Sequence, residues 1–126
     1  MTISTRWSAP ELLRREHYTN SIDVYSFGIV LWEVFAGELP FADLEWASLV
    51  ESAVLRGERP HRPRALPHDA LWELMATCWA DAAEARPAFD VILRRLQGIS
   101  RELGFLSGQS QSDDASRENE LLIEGD

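Results

Sequence analysis

Residues 19–41 read Thr19-Asn20-Ser21-Ile22-Asp23-Val24-Tyr25-Ser26-Phe27-Gly28-Ile29-Val30-Leu31-Trp32-Glu33-Val34-Phe35-Ala36-Gly37-Glu38-Leu39-Pro40-Phe41. Thr19, Asn20 and Ser21 carry oxygens suited to a helix N-cap. From Ile22 to Phe35 the apolar side chains then cover nearly every face of a 3.6-residue period. Gly37 suits a helix stop, and Pro40 prevents continuation. The spacing therefore predicts a helix over 21–36. A helix that is apolar all round is normally enclosed by the rest of a protein, so this one is expected at the centre of the fold. It is shorter than the ~20 residues of a membrane span, and Asp23 and Glu33 lie within it.

The flanking chain is also read as helical. Pro10 suits the first turn of a short helix at 11–16. A helix at about 44–55 would place Leu44, Ala47, Val50 and Val54 on one stripe. One at 69–80 would place Leu71, Leu74, Met75, Cys78 and Trp79 on an apolar face. One at 88–103 repeats apolar residues at Phe89, Ile92, Leu93, Leu96 and Ile99. Gly57, Pro60, Pro63 and Pro67 make 56–68 an irregular connection. No strand pattern of any length occurs, so the expected class is all-α. From Ser107 onward Ser, Gln, Asp and Glu dominate, and 107–126 reads as an acidic disordered tail after a domain at 1–106.

The chain has 126 residues, 45% of them apolar, and a net charge of −9. That size fits one domain at most. Every basic residue is arginine; there is no lysine. The acidic balance argues against nucleic acid, which is bound by clustered cations that neutralise phosphates. Cys78 is the only cysteine, which rules out an internal disulfide and fits an intracellular, cytoplasmic setting. No membrane segment and no signal peptide is legible. Arg56, Arg59, Arg62 and Arg64 with His61 read as a solvated basic loop, with docking of an acidic or phosphorylated partner as the alternative. His17 and His68 read as surface residues, and Cys78 as a small buried one. Leu121-Leu122-Ile123 within the acidic tail reads as chance composition, with a short partner motif as the alternative.

Several short motifs occur in order along the chain. They are Ala9-Pro10-Glu11, Asp23-Val24-Tyr25-Ser26-Phe27-Gly28, Leu31-Trp32-Glu33, Gly37-Glu38-Leu39-Pro40-Phe41, Gly57-Glu58-Arg59-Pro60, Cys78-Trp79 and Arg86-Pro87-Ala88-Phe89. Together they resemble the last part of a protein kinase domain, from the APE motif that closes the activation segment. Ser8 stands where that motif usually has Met, and Asp81-Ala82 where the family commonly has Asp-Pro. Gly37 reaches Pro40-Phe41 without the extra residue and tyrosine of receptor-type tyrosine kinases. This spacing is similar to that of the tyrosine-kinase-like serine/threonine group.

The resemblance implies a helical C-lobe without the N-lobe sheet. It implies a buried ion pair between Glu11 and Arg86. It implies that Asp23 accepts hydrogen bonds from a catalytic loop; without that loop the carboxylate must find water or take a proton. Gly28, Trp32, Gly37 and Trp79 fall at structural positions of the motif set, with Ala9 and Pro10. Ser4, Thr5 and Trp7 fall where the family positions its substrate. The parent family uses ATP and Mg and acts on protein substrates. Phosphoryl transfer needs held phosphates, metal ligands and a base, and the 126 residues contain no Gly-x-Gly-x-x-Gly, no lysine and no His-Arg-Asp or Asp-Phe-Gly. The expectation is a fragment of a protein kinase whose full-length form transfers phosphate from ATP to protein serine or threonine, with tyrosine as the alternative acceptor. The fragment is expected to have no catalytic, cofactor-binding or metal residue of its own. The alternative is a non-catalytic lobe remnant that binds a protein substrate or regulatory protein. With the upper face of the lobe uncovered, Ile22, Tyr25, Ile29 and the Trp7 segment are expected to be partly exposed.

Overall fold

The computed structural model describes residues 5–66 and 68–104. Ser4 and the 107–126 tail lie outside the described residues. Among those described, all regular structure is helical. A 3₁₀ turn at Thr5–Trp7 leads into α1, Pro10–Leu13. Then come α2, Asn20–Ala36, α3, Ala47–Leu55, and α4, Asp69–Cys78. A 3₁₀ turn at Ala83–Ala85 precedes α5, which spans 89–104. By contacts the chain divides into Met1–Ile92 and Leu93–Asp126. The second unit holds, among its described residues, the later part of α5.

The helix that decides the fold, α2, runs one residue beyond the predicted start. Thr19 sits in the cap position in extended conformation but makes no side-chain cap bond. Its carbonyl instead accepts the amide of Ile22 at 3.1 Å. Asp23 in the first turn complements the helix dipole. At the other end Gly37 takes φ 68°, and its amide donates to the Glu33 carbonyl at 2.9 Å. A side chain in that left-handed conformation would cost roughly 1–2 kcal/mol, so glycine sets the stop.

The main packing is α2 on α4. Ile22, Val24, Tyr25, Ile29 and Trp32 from α2 are buried, as are Leu71, Leu74, Met75 and Cys78 from α4. Each large side chain contributes about 1.5–3 kcal/mol by leaving water. Trp79 is buried at the C-cap of α4, with its ring edge-on to Trp72 at 5.7 Å. Phe89, at the start of α5, lies edge-on to Phe27 at 5.9 Å.

Five expectations need correction in whole or in part. The expected partial exposure of the upper face holds for the Trp7 segment, where Thr5, Arg6 and Trp7 are half-buried, but not for the helix: Ile22 is 2% exposed, and Tyr25 and Ile29 are 0%. The apolar surface of α2 is elsewhere, at Val30, Val34 and Phe35, so the helix is not enclosed on every side among the described residues. The short helix ends at Leu13 rather than residue 16, because Arg15 turns to φ 60°. The third helix starts at Ala47, and its inward stripe is Val50, Ala53 and Val54; Ala47 is exposed, and Leu44 lies in the preceding loop. On α5, Ile92 is buried while Phe89 and Leu93 are exposed.

Tyr25 occupies an unusual place in this core. Its ring has the Arg59 and Arg86 guanidinium carbons each at 5.2 Å from the centroid. Its hydroxyl is buried and finds no hydrogen-bond partner among the described residues. Burial pushes the phenol up to about 12 against the opposing pull of the two arginines. A buried unpaired hydroxyl costs about 1–3 kcal/mol. Tyr25→Phe is therefore expected to be neutral or to raise the urea midpoint at pH 7. The folded value lies above the ordinary 10.0, so the ionised form is disfavoured in the folded state. The wild type then loses stability as pH rises from 10 towards 12, and the phenylalanine variant lacks that loss. A variant clearly less stable than wild type at pH 7 would show that the hydroxyl has a partner.

Candidate functional site

The segment Thr5–Glu11 is fixed to the rest of the first unit by three sets of contacts. Arg6 reaches across 34 to 38 residues of sequence: its guanidinium donates to the carbonyls of Pro40 at 3.0 Å, Phe41 at 2.7 Å and Leu44 at 2.8 Å. Trp7 is half-buried and donates its Nε1 to Glu33 Oε1 at 3.0 Å. Ser26 Oγ donates to the Trp7 carbonyl at 2.7 Å. Two side chains of α2, about two turns apart, thus hold the backbone and ring of a single residue. Thr5 lies in the 3₁₀ turn that these contacts orient.

The far end of the segment is fixed by charge. Arg86 meets Glu11 in a two-pronged pair, Nη1 to Oε2 at 2.7 Å and Nη2 to Oε1 at 2.9 Å. The Arg86 side chain is 0% exposed and that of Glu11 11%. The remaining guanidinium donors go to carbonyls: Nε to Ala80 at 2.8 Å and Nη1 to Ser21 at 3.0 Å. Burial pushes the Glu11 carboxyl up. The Arg86 hydrogen bonds, its own backbone amide and the charges of Arg86 and Arg14 outweigh that and hold it below its ordinary 4.5. One arginine thereby joins α1, the start of α2 and the 80–86 loop. A planar guanidinium suits this task because its donors are fixed in one plane.

The other residues singled out from sequence are dispersed. Ala9 and Pro10 are buried beside Glu11. Gly28 lies where α2 meets α4; a Cβ there would come within 2.7 Å of Cys78 Cβ. Trp32, on the same helix, is 4% exposed and donates to the His61 carbonyl at 2.6 Å. Asp23 is exposed and accepts a hydrogen bond from the Tyr18 hydroxyl. His17 is exposed and His68 half-buried.

Periodicity and motif reading passed over Arg6, and quoted Ser26 and Glu33 within motifs without giving either a contact. Their roles depend on the 5–7 segment lying across α2, which no local pattern announces. The solvated-loop reading of the basic stretch fails for Arg59. Its side chain is 12% exposed, and it donates to the carbonyls of Trp79 at 2.9 Å and Val54 at 3.1 Å. Arg56 and Arg62 are exposed. They pair with Glu58 at 2.8 Å and Asp69 at 2.6 Å respectively.

Among the described residues no group of three His, Cys, Asp or Glu is placed to hold a metal ion. Asp23 has the Tyr18 hydroxyl on its carboxylate, and the sequence offers no lysine for phosphates.

Among the described residues, a helical body whose Ala-Pro-Glu segment is tied by an arginine to the start of α2 is consistent with a protein kinase C-lobe. The protein tyrosine and serine/threonine kinase family matches residues 1–96, and the chain belongs to that family. It is 39% identical over 100 residues to the probable serine/threonine-protein kinase roco7 of Dictyostelium discoideum, covering 76% of this chain and 4% of that protein. It is 38% identical over 99 residues to the serine/threonine-protein kinase STY17 of Arabidopsis thaliana, covering 79% of this chain and 17% of that protein. Human tyrosine-protein kinase TXK is 38% identical over 96 residues, covering 75% and 18%. The chain thus spans less than a fifth of each of these relatives. Among the described residues no helix is long and apolar enough to cross a membrane.

Proposed function

We propose that these residues form the substrate-facing helical part of a protein kinase that transfers phosphate from ATP to serine or threonine of proteins. The observation that carries this is the Thr5–Glu11 segment. Arg6, Trp7 and Glu11 each fix it to the helical body, so it offers a preformed ledge for a polypeptide. The serine/threonine choice rests on the Gly37 to Pro40-Phe41 spacing and on relatives with serine/threonine names. In this reading 1–106 is the kinase-derived part and 107–126 an acidic tail. The groups that hold ATP and Mg in the parent family are not among the 126 residues, so this chain alone does not carry out the transfer.

Calorimetry with ATP–Mg and a phosphate-incorporation assay on the 126-residue chain test this. The expected result is no binding in the micromolar range and no incorporation into a generic protein substrate. Micromolar ATP binding would overturn it.

A second reading is favoured by one observation. Ile22, Tyr25 and Ile29 are fully enclosed, so this part of the core needs no further cover. That supports a non-catalytic lobe that folds alone and binds a protein. A sharp thermal transition from a monomer that ignores a hydrophobic dye would favour it. Dye binding and a broad melt would favour the kinase part.

A further inference from the structure

Within the first unit lies a groove of about 1190 Å³ that the substrate-facing ledge does not use. It lies among the C-terminal half of α2, the 38–44 loop, the end of α3 and the 56–65 segment. Its apolar lining includes Trp32, Phe35 and Phe41, and its cationic lining includes Arg56, Arg62 and Arg64. We infer that this groove docks an extended segment of a partner protein in which acidic side chains flank a bulky apolar one.

Three observations carry the inference. The first is charge. Residues 56–64 hold four arginines and one glutamate in a protein of net charge −9. A local cationic surplus on an acidic protein is a recognition feature, because the rest of the surface repels the same ligand. Glu38 and Asp43 also line the groove, from the 38–44 side. They repel acidic ligand groups, which leaves the 56–64 side as the favourable one for them.

The second is that the arginines are free to exchange partners. Arg56–Glu58 and Arg62–Asp69 are solvent-exposed pairs. Such pairs are worth about 0–1 kcal/mol. A peptide carboxylate can therefore replace Glu58 or Asp69 at small cost, and a guanidinium accepts it through two parallel bonds.

The third is that the groove is already built. Trp32 Nε1 ties the His61 carbonyl to α2 at 2.6 Å. Arg59, buried below, holds the carbonyls of Val54 and Trp79. On the other side Arg6 holds the carbonyls of Phe41 and Leu44. Both segments are thus pinned before any ligand arrives, which lowers the ordering cost of binding. Phe35 is 41% exposed beside them, as an apolar contact for the ligand's bulky residue. The Arg6 bonds also run from this loop to the Thr5–Trp7 turn, so the groove and the ledge share a support. The inference concerns binding by these residues themselves and does not rest on the phosphotransfer reading.

The test is fluorescence anisotropy on the full 126-residue chain. The probes are labelled Glu-Glu-Leu-Phe-Glu-Glu and Lys-Lys-Leu-Phe-Lys-Lys. The acidic peptide is expected to bind at least tenfold more tightly than the basic one. Arg62→Glu with Arg64→Glu is expected to weaken it at least tenfold, and Phe35→Ser at least threefold. Helical circular dichroism and the urea midpoint check that each variant is folded. A salt titration of the wild type gives the charge reading without any substitution: affinity for the acidic peptide must fall as ionic strength rises. Equal affinity for the two peptides, an affinity unmoved by the double charge reversal in a folded variant, or no binding of the acidic peptide up to about 1 mM would each overturn the inference.

Discussion

Arg86→Ala is expected to destabilise the fold by about 3–5 kcal/mol, because it leaves the Glu11 carboxylate enclosed without its counter-charge. The loss extends beyond the pair. Arg86 also holds the carbonyls of Ala80 and Ser21, so three separate stretches of chain lose a common tie. A domain of this size has about 5–15 kcal/mol of stability in all, and the variant would be partly unfolded at moderate temperature. Arg94→Ala is the control. Arg94 is exposed on α5, where a substitution typically costs within ~0.5 kcal/mol. Urea midpoints of the two variants decide the matter, and equal shifts would refute the role given to Arg86. The same pair has a pH signature. The Glu11 carboxyl is held below 4.5 in the folded state, so the ionised form is favoured on folding. Its contribution is complete above pH 4.5 and is lost as pH falls through the lower folded value. Glu11→Gln should therefore be less stable at neutral pH and show a shallower acid limb.

Gly28→Ala is expected to destabilise, against the sign that helix propensity gives. In an open helix the change is worth about 1 kcal/mol in favour of alanine. Here the new Cβ would lie 2.7 Å from Cys78 Cβ and 3.3 Å from the Met75 carbonyl oxygen. Neither is the flexible end of a side chain, so α2 must retreat from α4. Overpacking of this kind costs typically 1–3 kcal/mol. Gly98→Ala makes the contrast: a Cβ at that helical position meets nothing within 4 Å, and that variant is expected to gain stability. Thermal melts of the two glycine variants that shift in the same direction would contradict the close α2–α4 approach.

Gly28 is one of several residues in its motif that each make a distinct contact. Asp23-Val24-Tyr25-Ser26-Phe27-Gly28 places, within six residues, an exposed acid, two core side chains, a hydroxyl that grips Trp7, a ring that meets Phe89 and a point of helix contact. These tasks are spread around the circumference of one helix, with Val24 and Gly28, four residues apart, on the same side. The apolar count alone does not separate them.

That separation marks the boundary between what was legible and what was not. The helices themselves were read from local rules. The apolar run from Ile22 to Phe35 and the Gly37 stop predicted α2 to within one residue, because both are signals carried by consecutive residues of the helix itself. The face of α4 was also legible in full: Leu71, Leu74, Met75, Cys78 and Trp79 are all buried. One-sided periodicity leaves only one way to enclose that face. The ordered motifs indicated the kinase family, since their spacing over about a hundred residues is a property of the chain alone.

Tertiary structure decided which side of α2 is enclosed. A helix apolar on every face carries no directional signal, and Val30, Val34 and Phe35 are large apolar residues just as Ile22 and Ile29 are. Tertiary structure also separated the arginines. Arg59 and Arg62 stand three residues apart in the same loop, yet one is packed under the Tyr25 ring and the other pairs with Asp69 at the surface. Arginine has a long apolar stem and a charge that persists at any accessible pH, so sequence leaves both fates open. The outcome depends on whether carbonyls such as those of Val54 and Trp79 converge on the guanidinium, and convergence of distant backbone is a property of the folded chain only.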